Sequence, residues 1–255
     1  MNISQLWKGL CLLAICLIAI SCTTNQYLDA DSMHNRLSEA EKKAGWQLLF
    51  DGKTTKGWRT FKKDSIGAKW TASNGTLYFA GNFDAQGNWS GTDGGDIITE
   101  GIYDNFELAL EWKISEIGNS GILYRVVESD EYDYIWQTGS EMQILDNERH
   151  SDGKITFSRA GDLYGLIECK GGTVGPAGEW NQVRILVNDS HVEHWLNGKL
   201  VVEYELWSTE WNDLVKSSKF SQMTGYGKAS RGHIALQDHS DKVWFRNIKI
   251  REIKD

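Results

Sequence analysis

Apolar and polar residues alternate through most of this chain at the two-residue period of β-strands. The pattern recurs in "WQLLF", "GTLYFAG", "DIITE", "FELALEWKI", "SGILYRVV", "EMQILD", "WNQVRILVND", "HVEHWLNGKLVVEYE", "GHIALQDH" and "VWFRNIKIREI". "NDSH" and "LNGK" sit where hairpin turns belong, the second carrying the favoured Asn-Gly pair. Only the 210–222 region could hold an amphipathic helix of any length. Pro176 is the single proline, so glycine must do most of the turning. These signals predict an all-β fold, a sandwich of two antiparallel sheets, over residues 45–255. Roughly 210 residues is an ordinary size for one such domain.

Alternation also assigns faces. In "FELALEWKI", Phe106, Leu108, Leu110 and Trp112 share the apolar face, with Glu107, Glu111 and Lys113 opposite. In "SGILYRVV", Ile122, Tyr124 and Val126 alternate with Leu123 and Arg125. In "GSEMQILDNERH", Met142 and Ile144 oppose Glu141 and Gln143. A sheet with one buried face normally leaves the other to water. If the three strands are neighbours, Glu111, Arg125, Glu141 and Gln143 form one polar face. That face is either a structural ladder of charges, worth ~0.2–1 kcal/mol per pair, or the floor of a site. Near the C-terminus, Gln237, Asp238 and His239 concentrate hydrogen-bonding groups and one residue that titrates near neutrality. His194 alternates with Val192 and Leu196 and is expected to be wholly or partly buried.

The N-terminus changes the setting. Lys8 precedes an apolar run from Leu10 to Ile20, too short to span a bilayer and of signal-peptide form. "AISC" resembles a lipoprotein cleavage box that would leave Cys22 as the lipid-modified first residue; ordinary secretion is the alternative. Residues 1–22 are therefore expected to act as a lipoprotein signal. Residues 23–44 would follow as a tether with a short helix around Ser38–Lys43, and the chain would be lipid-anchored in a bacterial cell envelope. Losing Lys8 takes the formal charge from −8 to −9. Such acidity argues against nucleic acid as a partner. After processing, Cys169 has no second cysteine with which to form an intramolecular disulfide. It is expected to pack in a strand.

The ordered segments "LFDGKTTKGW", "FELALEWKI", "GNSGILYRV", "EMQILD", "EWNQVRILV", "HWLNGK" and "GHIALQDHSDKVWFRNIKI" resemble the 3-keto-disaccharide hydrolase-like family. The resemblance covers roughly Trp46 to Ile250. It implies a concanavalin-like (jelly-roll) β-sandwich, often borne by lipoproteins of Bacteroidetes-type bacteria. It also implies activity on mono- or disaccharide glycosides already oxidised to a ketone at C3. Site residues carried over by matching motif are Asn119 of "NSG", Arg125, Glu141 and Gln143 of "EMQ", Asp146, and Gln237, Asp238 and His239 of "LQDH". Glu111 joins them from the face assignment.

A C3 ketone acidifies the proton on C2, so a modest base can remove it and the C1 substituent can leave. Water then adds across the double bond. Such a route needs a base, a donor for the enolate oxygen and an acid for the leaving group. Glu141 or His239 would be the base, Glu141 being preferred for its central place on the strand. Arg125 or a bound cation would stabilise the enolate. No spacing forms a metal signature, so no cofactor is assigned, although a divalent metal is compatible with these donors. Two other readings remain open. Retaining glycosidases on this fold pair carboxylates ~5–5.5 Å apart, but Glu141 and Asp146 are five residues apart and should face opposite ways. A non-catalytic sugar-binding module would instead use tryptophans such as Trp89 and Trp136 as platforms.

Overall fold

The computed structural model describes residues 34–254, apart from 85, 92 and 172. Cys22 and the signal segment lie outside the described residues. The chain runs through α1 (Glu39–Lys43), β1 (Gln47–Leu48), β2 (Trp58–Thr60), β3 (Trp70–Ser73), β4 (Thr76–Phe79), β5 (Ile97–Thr99) and β6 (Phe106–Ile114). It continues with β7 (Asn119–Val126), β8 (Ser140–Leu145), β9 (Asn181–Asn188), β10 (His191–Leu196) and β11 (Lys199–Glu205). The helix α2 (Thr209–Lys216), β12 (His233–Leu236) and β13 (Val243–Glu252) complete it. Short 3₁₀ turns at Ile135–Gln137 and Lys219–Gln222 matter below.

The strands form two antiparallel sheets, as the alternation predicts. The larger has the order β11-β10-β9-β6-β13-β4-β3, with β1 on β13, and the smaller β2-β5-β12-β7-β8. Between them pack the inward-facing sets expected from sequence, among them Leu108, Leu110 and Trp112 of β6, Ile122 and Tyr124 of β7, and Met142 and Ile144 of β8. The β10–β11 hairpin turns on Asn197 and Gly198, both at positive φ, the conformation that favours Asn-Gly. Helix α2 and the following 3₁₀ turn fill the region read as helical. His194 is fully buried, its Nε2 2.8 Å from the Tyr124 hydroxyl. Burial pushes its pKa down to about 3, so it is a neutral core residue.

Three expectations change. Strand β6 does not neighbour β7 and β8; it belongs to the opposite sheet. The short helix expected before Gly45 is present as α1, with a Ser38/Glu41 capping box, but the residues leading into it are more than a tether, because Asn35 is docked against β13. Asn35 N donates to Asn247 Oδ1 at 2.6 Å, and Asn247 N donates to Asn35 Oδ1 at 2.8 Å. The dock sits at a bulge in β13, where Asn247 has a φ of 53°. Cys169 lies half-buried in a loop rather than in a strand, its amide donating to Asp162 Oδ1 at 2.7 Å.

Candidate active-site cleft on the smaller sheet

The outer face of the smaller sheet is not open to water. Every residue of β7 and β8 is buried, because excursions between strands fold back over it. Phe61, Ile135 and Trp136 cover Ile98, Leu123 and Ala235 in a satellite apolar cluster. The chain after β8 lies along the outside of that strand. Gln143 N donates to Asp162 O at 3.0 Å, Gly161 N to Gln143 O at 2.9 Å and Tyr164 N to Glu141 O at 3.0 Å. The space left uncovered is a cleft of about 500 Å³.

Register explains which side chains reach it. Gly121 pairs with Gln143 and Leu123 with Glu141, while Ala235 pairs with Leu123 and Gln237 N donates to Gly121 O at 3.0 Å. Glu141, Gln143 and Gln237 therefore share the outer face, with Gly121 leaving a gap among them. Asn119, Trp136, Tyr164, Lys219, Phe220, Met223, Asp238, His239 and Ser240 complete the lining.

Glu141 is 4 % exposed, and desolvation pushes its carboxyl up to about 8. The Lys219 ammonium opposes that rise and the Asp96 carboxylate adds to it. Asp96 is itself pushed up to about 7 by burial, against a hydrogen bond from Asp238 N at 2.9 Å. With its amide turned to meet acceptors, Gln143 donates to Glu141 Oε1 and to Ser120 O, both at 3.1 Å. Asn119 Oδ1 and Gln237 Oε1 are buried acceptors with no hydrogen-bond donor. As both residues line the cleft, these acceptors can take donors from a bound ligand.

The structure brings Glu141, Gln143, Asn119, Gln237, Asp238 and His239 to one cleft, His239 at its exposed rim. The Asp238 carboxylate is engaged by Gly95 N at 2.7 Å, Ser240 N at 2.8 Å and Asn82 Nδ2 at 3.1 Å. It therefore shapes the rim loops. Three expected members are absent. Glu111 projects from the outer face of the larger sheet, bonded to Arg246 Nε at 2.7 Å and Asn247 Nδ2 at 2.8 Å. Arg125 has a φ of 54° within an irregularity of the β7–β12 pairing. Its guanidinium goes to Asp104 O at 3.3 Å and over the Trp207 ring at 5.2 Å, away from the cleft. Asp146 accepts from the amides of Ile117 at 2.8 Å, Glu148 at 3.2 Å and Arg149 at 3.3 Å, so it ties loops together.

Lys219, Asp96 and the half-buried Asp241, which accepts from Asn119 N at 3.0 Å, escaped the sequence reading. "QDHSD" contains Asp241, but its extra acid reads as loop polarity. Lys219 and Asp96 carry no local pattern at all. Among the described residues, His191, Glu193 and Glu203 are grouped closely enough to hold a metal, but they belong to β10 and β11 of the larger sheet.

Comparison with known proteins bears on the family and the fold. Residues 45–251 match the 3-keto-alpha-glucoside-1,2-lyase-like domain. A 3-keto-disaccharide hydrolase of Bacteroides thetaiotaomicron is 39% identical over 228 residues, 81% of this chain and 78% of the relative. A crystal structure of a provisionally assigned glycosyl hydrolase from Parabacteroides distasonis superposes with a TM-score of 0.78 at 32% identity, covering 87% of this chain and 100% of the other. A second protein of that organism and provisional assignment gives 0.61 at 26% identity, covering 82% and 99%.

Proposed function

The chain belongs to the 3-keto-alpha-glucoside-1,2-lyase-like family, and from that membership and the cleft we propose that it cleaves glycosides oxidised at C3 by elimination and hydration. The observation that carries this reading is the desolvated Glu141 carboxyl, held at about 8 on the cleft floor. A base with a pKa near the working pH suits a carbon acid such as the C2 proton of a 3-keto sugar. A retaining glycosidase would need a second carboxylate free to act close by; Asp146 is committed to loop amides, Asp96 accepts from Asp238 N, and Asp238 accepts from Gly95 N and Ser240 N.

In the proposed sequence, the Glu141 carboxylate takes the C2 proton and the C3 ketone becomes an enolate. The enolate collapses, C1–C2 becomes a double bond and the C1–O bond breaks. The protonated Glu141 returns its proton to the departing oxygen. Water then adds hydroxyl to C1 and hydrogen to C2, giving the free 3-keto sugar. Lys219, whose charge already acts on Glu141, takes the enolate-stabilising role first expected of Arg125. His239 at the rim is the group available to activate the water. Donation from sugar hydroxyls would satisfy Asn119 Oδ1 and Gln237 Oε1.

Incubating the pure protein with a 3-keto-glucoside and with its parent glucoside, each with and without chelator, tests the reading. Cleavage of the ketone alone, slowed by deuterium at C2, is the expected result. Equal cleavage of the parent would restore ordinary hydrolysis. Loss with chelator would add a metal to the reaction. The same proposal includes lipid attachment at Cys22 and a place in the bacterial cell envelope, supported by the "AISC" box. Cys22→Ala should release the protein from the membrane fraction.

A further inference from the structure

The cleft differs in chemistry from one end to the other. At its Gly121 end, Asn119 and Gln237 present buried acceptors that lack donors. Further along β7 and β12, Trp136 packs on the cluster of Leu123 and Ala235, and Phe220 and Met223 line the same cleft with Glu141 on the floor. Two of these apolar groups are braced by stacked tyrosines. Tyr134 stacks on Trp136 with centroids 4.3 Å apart and planes 9° from parallel. Tyr226 stacks on Phe220 at 4.0 Å and 10°. The two braces are tied by the Gly227 N to Thr138 O bond of 2.9 Å. Stacked rings held this way present a fixed apolar wall with little side-chain freedom left to lose.

We propose that Trp136, Phe220 and Met223 form the leaving-group subsite, and that the enzyme favours glycosides whose leaving group carries a flat apolar face. The inference rests on the elimination reading given above. An oxidised hexose has no hydroxyl proton to offer at C3, but it has donors at C4 and C6. Setting those donors on Asn119 and Gln237 and C2 against Glu141 directs C1, which lies across the ring from C4, to the aromatic wall. The cleft of about 500 Å³ falls within the ~300–1,000 Å³ of sites that enclose ligands larger than one sugar ring. An aromatic alcohol and the C–H face of a second pyranose share the required chemistry, and Met223 can adapt to either.

Methyl and benzyl 3-keto-glucosides separate wall contacts from reactivity, because their leaving alcohols are of similar acidity while only one carries a ring. A 3-keto-disaccharide is the third substrate. Trp136→Ala should lower the benzyl-to-methyl ratio of kcat/KM by ~10-fold or more, a usual scale for losing apolar contact in a pocket, and Trp136→Phe should recover most of it. A parallel fall in the disaccharide-to-methyl ratio would show that the wall also takes a sugar; a fall confined to one substrate identifies the leaving group it was built for. Ratios unchanged for both would overturn the subsite. Calorimetry on Glu141→Gln reads binding without turnover. Tighter binding of the benzyl than the methyl ligand, lost on adding Trp136→Ala, would support the subsite even if wild-type turnover failed and the elimination reading fell. Equal binding of the two ligands would overturn the subsite whatever the turnover.

Discussion

The carboxylate of Glu141 occupies the space that a β-carbon on Gly121 would need. The two residues are diagonal neighbours on β8 and β7, where Leu123 stands directly across from Glu141. Glycine in "NSG" thus makes room for the ionisable end of a residue on the next strand.

Gly121 is not at positive φ, so alanine is compatible with its backbone, and the atoms it would displace are the carboxyl end of the Glu141 side chain. Gly121→Ala should fold, with a melting temperature within a few degrees of wild type, yet lose ~10–10²-fold in kcat through the moved base. A variant of unchanged kcat would show that the position of Glu141 is immaterial.

Glu141 carries a pKa of about 8 folded against 4.5 in its ordinary state. The folded chain therefore holds a proton that the unfolded chain gives up, and stability falls as pH rises from about 4.5 to about 8. Glu141→Gln removes that penalty. Its stability gain over wild type should be small at pH 5 and grow to about a few kcal/mol by pH 8.5, measured by urea unfolding at both pH values. A gain independent of pH would contradict the raised pKa.

If Glu141 is the base, kcat/KM should rise with pH along a limb near 8. Removing the Lys219 charge in Lys219→Met should move that limb to higher pH, because the cation favours the carboxylate. Asp96→Asn should move it to lower pH by removing a like charge. Shifts in the same direction for both variants would assign the limb to another group.

Asn35 and Asn247 exchange backbone-to-side-chain bonds, and Asn35 Nδ2 also reaches Gly75 O at 2.8 Å. Asn35→Ala leaves the Asn247 amide and the Gly75 carbonyl without these partners. It should cost ~1–3 kcal/mol, read from thermal or urea unfolding. Deleting residues up to 44 should cost at least as much.

Much of the fold was legible because strand alternation is a strictly local signal. Leu108, Tyr124 and Met142 all face inward as their parity demands. Parity says nothing of which strands become neighbours, and that is how Glu111 was grouped with residues on the opposite sheet. Arg125 was lost for a different reason: one residue at positive φ resets the alternation, and nothing in "LYRVV" marks it. Glu141 and Gln143 were visible as a polar face, but their burial was not, since the groups that cover them come from distant loops. Lys219 reaches the cleft from the 3₁₀ turn after α2, a contact set by long-range packing alone.

Strand β8 is the last in its sheet, and its free edge is already taken by the backbone of Gly161, Asp162 and Tyr164, with Leu163 bridged to Met142. A bare edge invites strands from other molecules, and a strand paired on one side only is the easiest to slip. A slip of one residue would bury Glu141 between the sheets and turn Met142 outward. The loop that closes this edge thus keeps neighbouring copies from zipping together and holds the reading frame in which the carboxyl faces the substrate. Shortening that loop should be harmful even where it removes no residue that touches the sugar.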